Sequence, residues 1–323
     1  MERARQQLNI DINHAVVIWL GRLSLLTKID PWPTYTVLER VARQLGRPLV
    51  FIECGPDDKP SSHDSLEKLR RLCPSVRFLR LGGVEPVSEE LKRLALTAAD
   101  IAISLVDNPQ ETFGLAVAEA MAAGLPLVAS DWSGYRDLIR DDIDGFLIPS
   151  AWSSSAPSLS VPLGWQQFIG IQSFPAVAGA LAQLVQIDMA AAETALLTLL
   201  TQPSIARAMG SAAAIRACQL FAPKVVMDAY EELFSELNDI RSNAPVDANS
   251  GNSVGPQIDP FRVFSGFSSH PSLSVNTNDE SLDNLPEDVR HQRNPLWQIL
   301  KNSSPDSIRE TLDRDLLLKH IQF

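Results

Sequence analysis

A chain of 323 residues that is 45% hydrophobic and 21% charged, with mean hydropathy of −0.01, has the makeup of a globular protein of one large or two ordinary domains. That excludes a disordered or membrane-embedded protein, and a formal charge of −11 disfavours the clustered cations that a nucleic-acid partner needs. No apolar run reaches the roughly 18 residues of a membrane helix, and Met1–Gln7 leads into no apolar core, so neither a transmembrane segment nor a secretory signal is expected. The expected location is cytoplasmic. Cys54, Cys73 and Cys218 form no C-x-x-C pair and the five histidines are scattered, which predicts neither a disulfide framework nor a metal site.

From Ala15 to Pro149, short β-rich runs alternate with amphipathic stretches, the pattern of a parallel sheet covered by helices on both faces. In chain order the predicted strands are Ala15–Leu20, Pro48–Glu53, Val76–Leu81, Asp100–Val106, Pro126–Ser130 and Gly145–Ile148. Helices are predicted near 34–45, 64–72, 88–98, 114–123 and 134–140, each entered or left through Gly, Pro, Ser or Asp. The fold class is therefore α/β, a Rossmann-like doubly wound sheet, whose ligands sit beyond the carboxyl ends of the strands.

Residues 151–187, rich in Ser, Pro, Gly and aromatics, read as an irregular insertion, after which 190–200, 205–220 and 224–237 carry helical periodicity. Between Arg241 and Pro286 the composition turns to Asn, Ser, Asp, Gly and Pro, which predicts a flexible linker. A short helical tail is expected over 287–323, with Ser304-Pro305-Asp306 starting a helix before Ile308, Leu312, Leu316 and Leu317.

The segment most informative about chemistry runs from Glu111 to Pro126: a loop acid, a glycine, a helix and a Gly-Pro exit. Gly114 lets the backbone come close to a ligand, and the free N–H groups of Leu115 and Ala116 at the helix start make an anion site suited to a diphosphate. The plainer alternative has Glu119 as a solvated helical residue, Glu111 as a first-turn acid favoured by the helix dipole and Gly124 as a C-cap. Gly21-Arg22 and Lys28, after the first strand, supply two cations at the same edge, unless they only form a surface turn. Gly82-Gly83-Val84 after the third strand would approach a nucleobase or simply turn, and the same choice holds for Asp131-Trp132-Ser133-Gly134 after the fifth.

Taken together, GRLSLLTKID, DIAISLVDNPQETFGLAVAEAMAAGLPLVASDWSGYRDLI with its E-x7-E spacing, DGFLIP, and the later ALLTLL and ARAMGSAA resemble the C-terminal domain of retaining GT-B glycosyltransferases of glycosyltransferase family 4. The resemblance covers roughly residues 8–238 and makes 1–240 a nucleotide-sugar-binding domain. It implies catalytic roles for Glu111, against the donor sugar, and for Arg22 and Lys28, on the diphosphate. It also implies donor contacts from Gly21, Val84, Phe113, Gly114, Leu115, Ala116 and Glu119, the last on the ribose hydroxyls. Neither a metal nor a cofactor is implied; the donor is a nucleotide-diphosphate sugar and the acceptor is unknown. This chain departs from the usual family pattern at Ile29, where glycine is common, and at Asp107-Asn108, where Pro-Ser is common.

A GT-B enzyme binds its acceptor in an N-terminal domain, and this sequence starts just before the first strand of the C-terminal one. The expectation is a donor half, truncated or paired with a separately encoded N-terminal domain, or self-associating through Val225, Val226, Tyr230, Leu233 and Phe234. The alternative is a non-catalytic nucleotide-sugar-binding or interaction module. A nicotinamide-dependent oxidoreductase is disfavoured because no G-x-G-x-x-G follows the first strand.

Overall fold

The computed structural model describes residues 1–24, 28, 30–57, 62–243 and 259–270. Elements run in the order α1 (Glu2–Gln7), β1 (Ala15–Leu20), α2 (Pro31–Gln44), β2 (Leu49–Cys54), α3 (Ser62–Arg71), β3 (Val76–Leu81), α4 (Glu89–Ala98) and β4 (Ile101–Ser104). They continue with α5 (Leu115–Ala122), β5 (Leu127–Ser130), α6 (Tyr135–Leu138) and β6 (Gly145–Ile148). The remainder is β7 (Ser150–Trp152), α7 (Ala156–Phe168), α8 (Phe174–Ala182), β8 (Val185–Ile187), α9 (Met189–Thr201), α10 (Pro203–Phe221), α11 (Pro223–Asn243), α12 (Pro260–Phe264) and a 3-10 turn at Ser265–Phe267.

Six strands form one parallel sheet in the order β3-β2-β1-β4-β5-β6. The chain reverses its winding direction between β1 and β4, so the crevice that a doubly wound sheet offers a ligand opens there. Strands β1, β2, β4 and β5 are buried along their whole length, which is why they are near-continuous apolar runs rather than alternating ones. The helices start where side chains can satisfy free N–H groups. Asp30 accepts from Trp32 N at 3.0 Å, Ser88 from Leu91 N at 3.2 Å, and Asp188 from Ala190 N and Ala191 N at 3.0 and 2.9 Å.

Two buried ion clusters fix the scaffold. On β2, Glu53 is fully buried; it accepts from Tyr35 Oη and from Arg70 Nε at 2.9 Å, tying α2 and α3 to the sheet. Desolvation holds the Glu53 carboxyl above its ordinary range against the pull of Arg70. Before β6, buried Asp144 accepts from Arg140 N, Nε and Nη2 at 3.0, 2.9 and 2.7 Å. Burial alone would raise its pKa, but the hydrogen bonds and charge of Arg140 outweigh that and leave it lowered.

A carboxylate depressed in the folded state stabilises above its unfolded pKa of about 3.9 and loses that contribution as pH falls through the folded value. Asp144→Asn should therefore cost about 2 kcal/mol at pH 7, the scale of hydrogen bonds to a charged group. Urea denaturation of both proteins at pH 7 and at successively lower pH checks this, because the gap must narrow below about pH 4. A gap independent of pH would assign the loss to shape rather than charge.

Two expectations need correction. Residues 151–187 are not irregular: α7 and α8 form a helical pair closed by an antiparallel ladder of β7 and β8. Nor is the whole of 241–286 a linker. Helix α11 extends to Asn243, and residues 259–270 return to the domain, where α12 packs on α7. The tail at 287–323 lies outside the described residues. Helix α11 buries no residue and leaves Val225, Tyr230, Leu233 and Phe234 between 42% and 63% exposed, so it adds an apolar stripe to the surface rather than to the core.

Candidate functional site

The ends of β1, β2 and β3 all break at glycines, and each break shapes the crevice. Gly55 has φ +155°, and a Cβ there would lie 1.9 Å from the Gly21 carbonyl oxygen, so only glycine lets the two loops run side by side. Pairing then continues past the strands, with Leu23 N donating to Pro56 O at 2.9 Å and Asp57 N to Gly83 O at 2.7 Å. Arg80 braces these loops from behind, donating to Gly55 O at 2.5 Å and to Asp57 Oδ1 at 2.8 Å.

Opposite stands the loop between β4 and α5. Asn108, buried, accepts from Gln110 N on its side chain at 2.9 Å and from Glu111 N on its carbonyl at 3.0 Å, a turn that aims Glu111 at the crevice. Gly114 then enters α5 with φ +93°, and a Cβ on it would meet the ring of buried Tyr135 at 2.4 Å. The Tyr135 hydroxyl lies 2.8 Å from Ser104 Oγ. Burial, and then the Glu111 charge, raise its pKa far above neutrality, so it remains a neutral phenol.

Between these walls lies a cleft of about 510 Å³. It is lined by Gly21, Arg22, Lys28, Glu111, Phe113, Gly114, Leu115, Ala116 and Glu119, all anticipated from the sequence, and also by Cys54, Gly55, Pro56, Pro86, Val87, Glu89, Lys92 and Thr112. Val84 does not line it; that residue is 75% exposed, and Pro86 and Val87 of the same loop take its place on the wall. The sequence offered a signal for them in the Gly-Gly turn after β3. For Lys92 it offered none, because its partner Glu119 is 27 residues away.

Among the described residues lining the opening, three cations (Arg22, Lys28 and Lys92) balance three carboxylates (Glu89, Glu111 and Glu119). Lys28 pairs with Glu111, which is only 8% exposed. Lys92 Nζ donates to Glu119 Oε1 at 2.9 Å and lies 3.0 Å from Glu89 Oε1, and the bond to Glu119 foremost keeps its ammonium above the usual range. The start of α5 adds a preference for anions: its leading N–H groups have no partner within the helix, and Leu115 and Ala116 line the same cleft as Lys28. On the floor, burial pushes the Cys54 thiol up to about 11, so it is protonated at neutral pH and is no nucleophile. Among the described residues no group of three His, Cys, Asp or Glu side chains is placed to hold a metal ion, and no helix is long and apolar enough to cross a membrane.

The strand order and the position of this cleft define a doubly wound α/β domain with a cleft at its switch point. Within that class, residues 1–158 match the family described as Glycosyl transferases group 1. The D-inositol 3-phosphate glycosyltransferase of Xylanimonas cellulosilytica is 32% identical over 155 residues, 46% of this chain and 34% of the relative. The protein of the same name from Corynebacterium aurimucosum is 33% identical over 150 residues, with the same two shares. The chain thus spans about a third of the length of the curated relatives it matches. Among solved structures, HepE from Anabaena, determined in complex with UDP-glucose, matches at 20% identity and a TM-score of 0.48 over 73% of this chain and 52% of its own. The C-terminal domain of a glycosyl transferase group 1 family protein from Francisella tularensis matches at 14% and 0.44 over 67% and 90%.

Proposed function

We propose that this domain is the donor-binding half of a retaining GT-B glycosyltransferase of family 4, holding a nucleotide-diphosphate sugar in the cleft between the β1 and β4 loops. The observation that carries the reading is the convergence of Arg22, Lys28 and the start of α5 on one opening that also contains Glu111 and Glu119. When a sugar leaves a nucleoside diphosphate, negative charge grows on the departing phosphate oxygen. Preorganised cations and backbone N–H groups stabilise that charge without rearranging, and the reading calls for neither a metal nor a cofactor. Lys28 and the N–H groups of Leu115 and Ala116 take that task, Arg22 adds bidentate contacts, and Glu111, already paired to Lys28, lies against the donor sugar. Gly21, Phe113 and Gly114 shape the walls. Glu119 takes the ribose hydroxyls, with Lys92 holding its carboxylate in place. The acceptor belongs, in this reading, to a second domain, and a reducing cytoplasmic setting agrees with the free thiols of Cys54 and Cys73.

A hydrogen-bonding carboxylate for the ribose predicts a selective defect. Glu119→Gln should weaken binding of UDP, GDP or ADP by up to about tenfold, one hydrogen bond's worth, while leaving inorganic pyrophosphate nearly unaffected. Calorimetry with both classes of ligand measures it. Equal losses for nucleotide and pyrophosphate would mean that the substitution only disturbs α5 or releases Lys92.

A further inference from the structure

Residues 259–270 come from a stretch whose composition reads as linker, yet they are tied to the domain at both ends. Asp259 Oδ1 accepts from Phe261 N at 3.1 Å and from Ser160 Oγ at 2.8 Å, fastening α12 to α7. At the other end His270 N donates to Ser150 O at 3.1 Å, beside β7. Between them Phe267 stands edge-on to the buried Trp132, with centroids 5.7 Å apart at 84°. Its carbonyl accepts from Ser133 N and from Arg136 Nη2, both at 2.8 Å, and the Gly266 carbonyl from Arg136 Nη1 at 3.1 Å.

The residues gripped in this way are those that hold the cleft loop from the other side. Trp132 Nε1 donates to Asn108 O at 3.2 Å, the same carbonyl that receives Glu111 N, and Gly134 N donates to Thr112 O at 3.1 Å. Ser133 has φ +45°, a conformation that costs a non-glycine residue free energy and persists only where neighbours over-determine it. The Phe267 carbonyl is one of those neighbours. A continuous series of contacts therefore runs from Phe267 through Trp132 and Ser133 to Asn108 and Thr112, on either side of Glu111.

We infer that residues 259–270 are a strap that positions the Glu111 loop, with Phe267 as the positioning residue. The inference about the cleft's ligand rests on the donor-site reading, but the mechanical part does not. A loop that must be held in one geometry to receive a diphosphate loses affinity by the fraction of time it spends elsewhere, so loosening the strap weakens binding without removing any ligand contact.

The test uses the full chain as wild type, Phe267→Ala and the milder Phe267→Leu. Amide hydrogen exchange without ligand should be faster at residues 108–114 in Phe267→Ala, intermediate in Phe267→Leu, and unchanged in β2 and β3. Affinity for UDP, GDP or ADP, whichever the wild type binds, should fall by about two- to tenfold in Phe267→Ala, the factor an aromatic pair is worth. Wild-type exchange at 108–114 in both variants would overturn the strap. Faster exchange there in a chain whose wild type binds none of the three nucleotides would uphold the strap and remove the donor-site reading instead.

Discussion

Exchange of Gly114 for alanine is expected to lower the stability of the domain by about 2–5 kcal/mol and to abolish measurable diphosphate binding. Two independent costs add. An L-residue at φ +93° pays about 1–2 kcal/mol for the left-handed conformation. The added Cβ would also sit 2.4 Å from the Tyr135 ring, and overpacking a filled core costs about 1–3 kcal/mol. The ring has little room to retreat, since Tyr135 is fully enclosed and its hydroxyl is engaged with Ser104. Relief must therefore come from the Gly114 backbone, which carries the first N–H groups of α5 away from the cleft. Urea denaturation gives the stability change and calorimetry the binding; a variant with unaltered midpoint and affinity would show that the turn is far softer than its geometry implies.

Removal of either cation is expected to weaken nucleoside-diphosphate binding by about ten- to a hundredfold, since each charge-assisted contact is worth about 1.5–3 kcal/mol. Lys28→Ala and Arg22→Ala should differ in a revealing way. Lys28 is paired with Glu111, so its loss also leaves a poorly solvated carboxylate facing the phosphates and adds repulsion to the lost attraction. Lys28→Ala should therefore be the more damaging substitution, and a further Glu111→Gln change should recover part of its affinity. Without that recovery, the ion pair would be incidental to binding.

Much of the sheet was legible because buried parallel strands are short apolar runs between glycines and prolines; β1, β3 and β6 begin and end where the sequence places them. The failures have identifiable physics. In α7 the apolar residues Val161, Trp165 and Phe168 are 45–55% exposed while Ala156, Ser160, Leu163 and Gly164 are buried, so apolar residues lie on both faces and no single stripe can be read. In 259–270 the decisive residues are few: an Asp-Pro helix start and Phe261, Phe264 and Phe267, diluted by the polar sequence around them. The helix start was readable; the tryptophans that receive those rings were not, because they lie more than a hundred residues earlier. At the cleft, the residues singled out within the loop after β1 and the Glu111–Glu119 segment lie on the lining, because each motif is contiguous in sequence. Lys92 joins it through a tertiary contact with Glu119 that no local pattern announces, and Val87 rather than Val84 represents the loop after β3. Asn108, marked as a departure from the usual family sequence, proves to build the turn beneath Glu111.

In the proposed function, the cleft between the β1 and β4 loops binds a nucleoside diphosphate through its cations and the start of α5. Calorimetric titration of the full chain with UDP, GDP and ADP at fixed ionic strength tests it most directly, with Lys28→Ala run in parallel. Saturable one-to-one binding of at least one nucleotide is expected, weakened by about tenfold or more in the variant. Absence of binding by all three, or equal affinity in wild type and Lys28→Ala, would contradict it.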